Sequence, residues 1–261
     1  MAKAKLNKPD NSPKVYQREK IDFDLHVREL PWTEKQQALI ELGTDKNSRI
    51  IFLSGPAGSS KTTVAMRIAL EQMQQKKISE IVLVRAAVES ADAKLGYLPG
   101  DIEGKFGPYM GPFEDKLEEL LPVGDIKRLK GENRLICQPI NFVRGASWTA
   151  KFVIVDEAQN LTINEIQTLM TRIGKFTKMI ICADSAQSDL PKHKQGGFDK
   201  TAYIFNTVDA QAFGIYSVKF NNDDIVRSEL CKFIVKTFDE HPHELQGACQ
   251  KVSHYDSNRT I

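Results

Sequence analysis

Apolar residues along this chain fall into short, near-continuous runs separated by stretches of helical periodicity. The runs are Ile50-Ile51-Phe52-Leu53, Ile81-Val82-Leu83-Val84, Phe152-Val153-Ile154-Val155, Met179-Ile180-Ile181-Cys182 and Ile215-Tyr216-Ser217-Val218. Near-continuous apolar strands suit a parallel sheet covered by helices on both faces. Between them, helical patterns fit Thr62–Gln75, Asn164–Ile173 and Asp224–Phe238, with Asp224 a candidate N-cap for the last. This alternation predicts a doubly wound α/β fold with a mostly parallel sheet. One stretch breaks the pattern. Lys94–Pro122 carries Gly96, Tyr97, Pro99, Gly100, Phe106, Pro108, Tyr109 and Pro112, which predicts loop and short helix inserted into the core. No internal repeat is visible.

Composition narrows the class. The 261 residues suffice for one large α/β domain, and 41% hydrophobic with 27% charged residues is ordinary for a globular protein. A net charge of +2 does not by itself demand a nucleic-acid partner. The charge is uneven, however. Lys3, Lys5, Lys8, Lys14, Arg18 and Lys20 face only Asp10 and Glu19. With no apolar periodicity, residues 1–25 read as a solvated tail, ahead of a domain over 26–240 and a C-terminal tail over 241–261. The four cysteines, Cys137, Cys182, Cys231 and Cys249, form no C-x-x-C pair, which argues against zinc. No run is long enough to span a membrane and no signal peptide opens the chain, so a reducing cytoplasm is the expected home.

The chemistry begins at Gly55-Pro56-Ala57-Gly58-Ser59-Ser60-Lys61-Thr62, continuing into Thr63. This stretch follows an apolar strand and precedes a helix, the context a phosphate-binding loop requires. Successive backbone N–H groups and the helix N-terminus point at anionic oxygens. Lys61 would neutralise the β- and γ-phosphates of ATP, and the Thr62 hydroxyl would ligate Mg²⁺. Ser60 stands where the usual G-x-x-x-x-G-K-[ST] pattern has its second glycine. The plainer alternative is a helix capped by Ser59 or Ser60 after a Gly-rich turn.

A second signal is the run of Phe152–Val155 into Asp156-Glu157. A carboxylate at the end of a buried strand is costly unless something pairs with it. Mg²⁺ is the natural partner for Asp156, and Glu157 is then positioned to orient or deprotonate an attacking water. An ordinary acidic strand exit is the alternative. The run Met179–Cys182 leads into Ala183-Asp184-Ser185-Ala186-Gln187, whose polar groups would reach the same crevice. There Gln187 would sense the γ-phosphate or help hold the water.

Together these motifs resemble the PhoH family of P-loop ATPases. The resemblance is carried by Gly55–Thr62, Val84–Glu89, Leu95–Asp101, Phe142–Gly145, Val155–Asn160, Thr171–Gly174, Asp184–Pro191 and Asp224–Arg227. It implies a RecA-like core related to superfamily 1 helicases, often assembled as a ring, with a homo-oligomeric, hexameric ring the expected form. It also implies an adenine contact by Gln36, which follows Pro31-Trp32-Thr33. The chain departs from the family pattern at Ser60, at Ala86 where proline is usual, and at Ala183 where glycine is usual. Arg85, Arg172 and Arg227 lie in matching motifs and are candidates to stabilise charge on the γ-phosphate, from the same or a neighbouring subunit. Each has a structural ion pair as its alternative.

An ATPase core does not identify its output. One reading is a motor or remodeller acting on single-stranded RNA or DNA. Tyr97, Phe106, Tyr109, Arg144 and Trp148 would then stack bases or hold phosphates, against the alternative that these aromatics pack the core or an interface. The other reading is an ATP-dependent assembly or switch protein. A small-molecule kinase fits less well, because the Asp156-Glu157 pair favours activation of water.

Overall fold

The computed structural model describes residues 19–85, 102–140, 143, 145 and 147–240. The tail up to residue 18, the C-terminal segment, Tyr97 and Arg144 lie outside these residues, as do the side chains of Phe106 and Tyr109. Six strands form one parallel sheet: β1 (Ile50–Ser54), β2 (Glu80–Arg85), β3 (Leu135–Pro139), β4 (Lys151–Asp156), β5 (Lys178–Ala183) and β6 (Ile215–Lys219). Their order is β3-β2-β4-β5-β1-β6. The helices are α1 (Glu34–Thr44), α2 (Lys61–Gln74), α3 (Ile102–Leu120), α4 (Val123–Gly131), α5 (Ile163–Met170), α6 (Gly197–Ile204), α7 (Val208–Ala212) and α8 (Glu229–Glu240).

Each central strand feeds two cores, which is why its sequence is apolar at successive positions. Ile51, Leu53, Ile81, Leu83, Phe152, Ile154, Ile180 and Cys182 join Leu39, Ile68 and Leu117 of α1, α2 and α3 in one core. The alternate residues Phe52, Val82, Val84, Val153, Val155 and Ile181 pack with Ile166 and Leu169 of α5 and Phe198 of α6 in the other. The α/β expectation is met, and the five apolar runs are five of the strands. The sixth strand, β3, gave no comparable signal. It lies at the sheet edge, three of its five residues are only partly buried, and it ends in Pro139, a residue that edges tolerate.

Three expectations need correction. The stretch anticipated as loop and short helix is, from residue 102, the continuous helix α3, although Pro108 and Pro112 each forfeit a backbone bond. Its buried stripe of Phe113, Leu117 and Leu120 offsets that loss by packing against α2 and β3. Asp224 does not cap α8, which begins only at Glu229. Asp224 instead closes a 3₁₀ turn, Asn222–Asp224, in a reciprocal capping box with Asn221, and its Oδ1 accepts Thr33 Oγ1 at 2.7 Å. Finally, residues 19–25 are not tail. Ile21, Phe23 and Leu25 alternate into the core, and Arg128 stacks 3.7 Å over the Phe23 ring. Trp148, a candidate base-stacking residue, is buried in the second core. No helix among the described residues is long and apolar enough to cross a membrane.

Candidate active site

Because the sheet is parallel, β1, β4 and β5 deliver their carboxyl ends to one edge. β5 sits between β1 and β4, pairing Ser54 with Ala183, while β2 places Arg85 level with Asp156. The chain leaving β1 therefore faces the chain leaving β4 across the end of β5. This is the crevice in which open α/β sheets hold ligands.

The loop between β1 and α2 curls over that crevice with Gly58 (φ 80°) and Ser60 (φ 56°) in left-handed conformations. Lys61 Nζ donates to Gly55 O at 2.8 Å and Pro56 O at 2.9 Å, so the ammonium rests inside its own loop. Neither serine caps α2. Ser59 Oγ donates to Pro56 O, and Ser60 makes no side-chain capping bond. The first N–H groups of α2 thus receive no side-chain acceptor, which leaves the helix N-terminus able to receive an anion.

Across the crevice, Asp156 is 8% exposed and its Oδ1 accepts Thr62 Oγ1 at 2.7 Å. Burial pushes its carboxyl above the usual range. The Glu157 charge adds to that rise, and the Thr62 bond, Arg85 and Lys61 oppose it. Glu157 adopts φ 55°, ψ 38°, also left-handed. Its Oε2 accepts Gln159 Nε2 at 2.6 Å, and its Oε1 lies 3.7 Å from Arg85 Nη2. Gln159 is itself 4% exposed, and its Oε1 accepts the backbone N–H of Asp184 at 3.0 Å.

The fold brings Ala57, Gly58, Ser60, Lys61, Thr62, Thr63, Asp156, Glu157, Gln187 and Arg227 to one crevice. Arg227 lays its aliphatic stem over Gly58, where a β-carbon would lie 3.3 Å from its Cδ. Gly55, Pro56 and Ser59 frame the loop from behind. A β-carbon at Gly55 would meet Phe220 Cβ at 2.8 Å.

Two candidates lie elsewhere. Gln36 is fully buried, its Nε2 donating to Ser59 O and Asp224 O and its Oε1 accepting Thr33 N–H. An adenine contact would require those bonds to break. In this structure Gln36 ties α1 to the loop instead. Arg172 follows α5, and its carbonyl accepts Trp148 N–H near the start of β4, at the opposite end of the sheet from Asp156. The tight turn there has its own reason: a β-carbon at Gly174 would sit 2.4 Å from Trp148 O.

Gln159 and Lys116 reach the crevice without having been singled out. Only the position of Gln159, just after the acid pair, hinted at a role. Lys116 arrives on α3, a helix the sequence concealed. Among the described residues no group of three or more His, Cys, Asp or Glu could hold a metal by itself.

A parallel sheet carrying a glycine loop tipped by Lys61 and Thr62 on one strand, and an Asp-Glu pair one strand removed, defines a P-loop NTPase fold. The chain belongs to the PhoH family: the family described as "PhoH-like protein" matches residues 30–239. A PhoH-like protein of Synechocystis sp. is 35% identical over 73% of this chain and 56% of its own length. One from Bacillus subtilis is 34% identical over 75% and 60%. Protein PhoH of Escherichia coli is 33% identical over 72% and 52%. The chain thus spans little more than half the length of these relatives. A solved structure of the Pif1 helicase from Candida albicans aligns over 74% of this chain and 41% of its own at 16% identity, with a TM-score of 0.36, a likeness too distant to bear on function.

Proposed function

We propose that this chain binds ATP with Mg²⁺ in the crevice and hydrolyses it, with the output directed to single-stranded nucleic acid. The observation that carries the reading is the 2.7 Å bond from Thr62 Oγ1 to Asp156 Oδ1, beside Lys61. A hydroxyl and a buried carboxylate held together form the hard-oxygen pair that suits Mg²⁺. Burial raises the Asp156 carboxyl above its usual range, and a cation beside it would favour the charged form. Thr62 and Asp156 would hold the ion, which when bound would neutralise charge on the phosphate oxygens.

The protein's own groups do the rest. The loop N–H groups and Lys61 bind the phosphates. Glu157, steadied by Gln159 and Arg85, orients a water and accepts its proton as the oxygen attacks the γ-phosphorus and the bond to the bridging oxygen breaks. Gln187 and Arg227 line the same crevice, and in this reading Arg227, whose stem lies over Gly58, acts within its own chain. The expected assembly is a homo-oligomer, with a hexameric ring the form implied by the family. The exposed apolar side chains of α8, Leu230, Phe233, Ile234 and Phe238, support self-association.

The test is ATP hydrolysis by wild-type and Lys61→Ala protein, read beside the solution mass from light scattering. The variant should lose turnover without losing its fold. Equal turnover in both proteins would overturn the site, and a monomer with full activity would overturn the assembly.

A further inference from the structure

One cation enters the crevice from outside the strand ends. Phe113, Leu117 and Leu120 form the buried stripe of α3. Lys116, three residues after Phe113 and one before Leu117, borders that stripe, and its side chain lines the crevice together with Thr63. There its Nζ donates to Glu119 Oε1 at 2.6 Å, and Glu119 Oε2 accepts Thr63 Oγ1 at 3.4 Å. These bonds tie α3 to the first turn of α2. The other cations at the crevice are engaged with the loop or the acid pair. Lys61 is bound to the Gly55 and Pro56 carbonyls, Arg227 covers Gly58, and Arg85 faces Glu157.

Successive residues of a helix point about 100° apart. Thr62 turns to Asp156 at the end of β4, and Thr63 turns to Glu119 on α3. Glu157 follows Asp156 directly and so belongs to the β4 side, whereas Lys116 arrives from the α3 side. A cation on that side would meet the α- and β-phosphates, which the loop N–H groups cradle, rather than the γ-phosphorus under attack. Glu119 keeps its charge and competes for the same ammonium. Its side chain is 45% exposed, however, and that of Lys116 is 25% exposed. An ion pair with so open a partner holds weakly, and a phosphate oxygen inside the crevice offers Lys116 a charge-assisted bond in its place.

We propose that Lys116 binds a nucleotide phosphate that remains in ADP, and that Glu119 restrains it while the crevice is empty. The inference rests on the ATPase reading and adds a nucleotide-binding residue to that site. Lys116 exchanges the Glu119 carboxylate for a phosphate oxygen, and no covalent bond changes. Because that phosphate is present in ATP, in the transition state and in ADP, Lys116 acts on all three alike. It sets nucleotide affinity and product release, while Glu157 sets the chemical step.

The experiment uses the full chain, fluorescent ADP and a non-hydrolysable ATP analogue, read beside steady-state hydrolysis. Lys116→Met, which keeps the aliphatic stem, should bind both nucleotides about tenfold more weakly, the loss expected for one bond to a charged group. Its KM should rise in proportion, while kcat stays within about twofold or increases as ADP leaves faster. Lys116→Arg should restore most of the affinity. Glu119→Gln, which still accepts the Thr63 hydroxyl, should bind ADP about threefold more tightly, because the competing charge is gone. In the double variant Lys116→Met/Glu119→Gln that gain should vanish. A merely structural bridge between α3 and α2 predicts the opposite sign for Glu119→Gln. Tighter binding there that survives in the double variant would overturn the exchange, as would weaker binding in Glu119→Gln itself. A Lys116→Met protein that keeps its ADP affinity but loses kcat would overturn the proposal by placing the cation at the γ-phosphate. Wild-type hydrolysis with wild-type ADP affinity in Lys116→Met overturns this inference alone, whereas a wild type that does not hydrolyse ATP overturns the underlying reading.

Discussion

Ser60 and Glu157 stand on opposite sides of the crevice in nearly the same left-handed backbone, φ 56°, ψ 28° and φ 55°, ψ 38° respectively. For a residue with a β-carbon this conformation costs about 1–2 kcal/mol. The two positions differ in what that cost supports. The Ser60 side chain makes no capping bond, and a glycine would adopt the same turn without strain. The Glu157 side chain is held by Gln159 and faced by Arg85, and the turn aims its carboxylate over the crevice. Backbone shape and side-chain chemistry are separable at position 60 and joined at position 157.

The sharpest way to break the comparison is at Glu157. Glu157→Gln should keep ATP binding and lower kcat by about 10²–10⁴-fold, the range for losing a general base. Glu157→Gly should lose as much activity while keeping its melting temperature, because strain is released along with the carboxylate. A Glu157→Gln protein with near-normal turnover would show that water is activated elsewhere. On the loop side, Arg227→Ala should bind ATP and slow turnover by about 10²–10³-fold, comparable with removing one donor to developing charge. Because Arg227 packs over Gly58 of its own chain, mixing with Lys61→Ala subunits should rescue nothing. Recovery on mixing would place the arginine's action in a neighbour.

Smaller effects fall on stability. Asp156→Asn should weaken Mg²⁺-dependent nucleotide binding yet raise the melting temperature. The sign follows from burial. The folded carboxyl holds its proton more tightly than the unfolded one, so native stability falls as pH rises above about 4, the unfolded carboxylate value, and the deficit persists at neutral pH. The melting-temperature advantage of the Asn variant should therefore widen between about pH 4 and pH 7, as thermal scans across that interval would reveal. A constant gap would show that Asp156 is not titrating abnormally. The smallest change is Ser60→Gly, expected to gain about 1 kcal/mol with hydrolysis preserved or faster. A less stable glycine variant would mean that the serine side chain does something the folded chain conceals.

Most of the residues that line the candidate site were legible because their signals are local. Gly55–Thr62 announces a turn entering a helix, and Asp156-Glu157 is conspicuous after four apolar residues. What escaped notice depended on partners far away in the chain. Gln159 matters because residue 184 comes to meet it, and Gln36 is withdrawn from the ligand because Ser59 and Asp224 take its amide hydrogens. Arg172 and Arg227 looked alike as arginines in motifs. The fold sends one to the start of β4 and the other onto Gly58.

The sequence by itself determined the class of element and the place of the phosphate loop, because apolar run length, glycine content and strand-to-helix order are properties of neighbouring residues. Only the tertiary structure decided the strand order, the course of α3 and the membership of the crevice. It also decided that residues 19–25 belong to the body of the protein. Those outcomes rest on burial and hydrogen bonding between segments that meet only when the sheet closes, and no window along the chain contains both halves of such a contact.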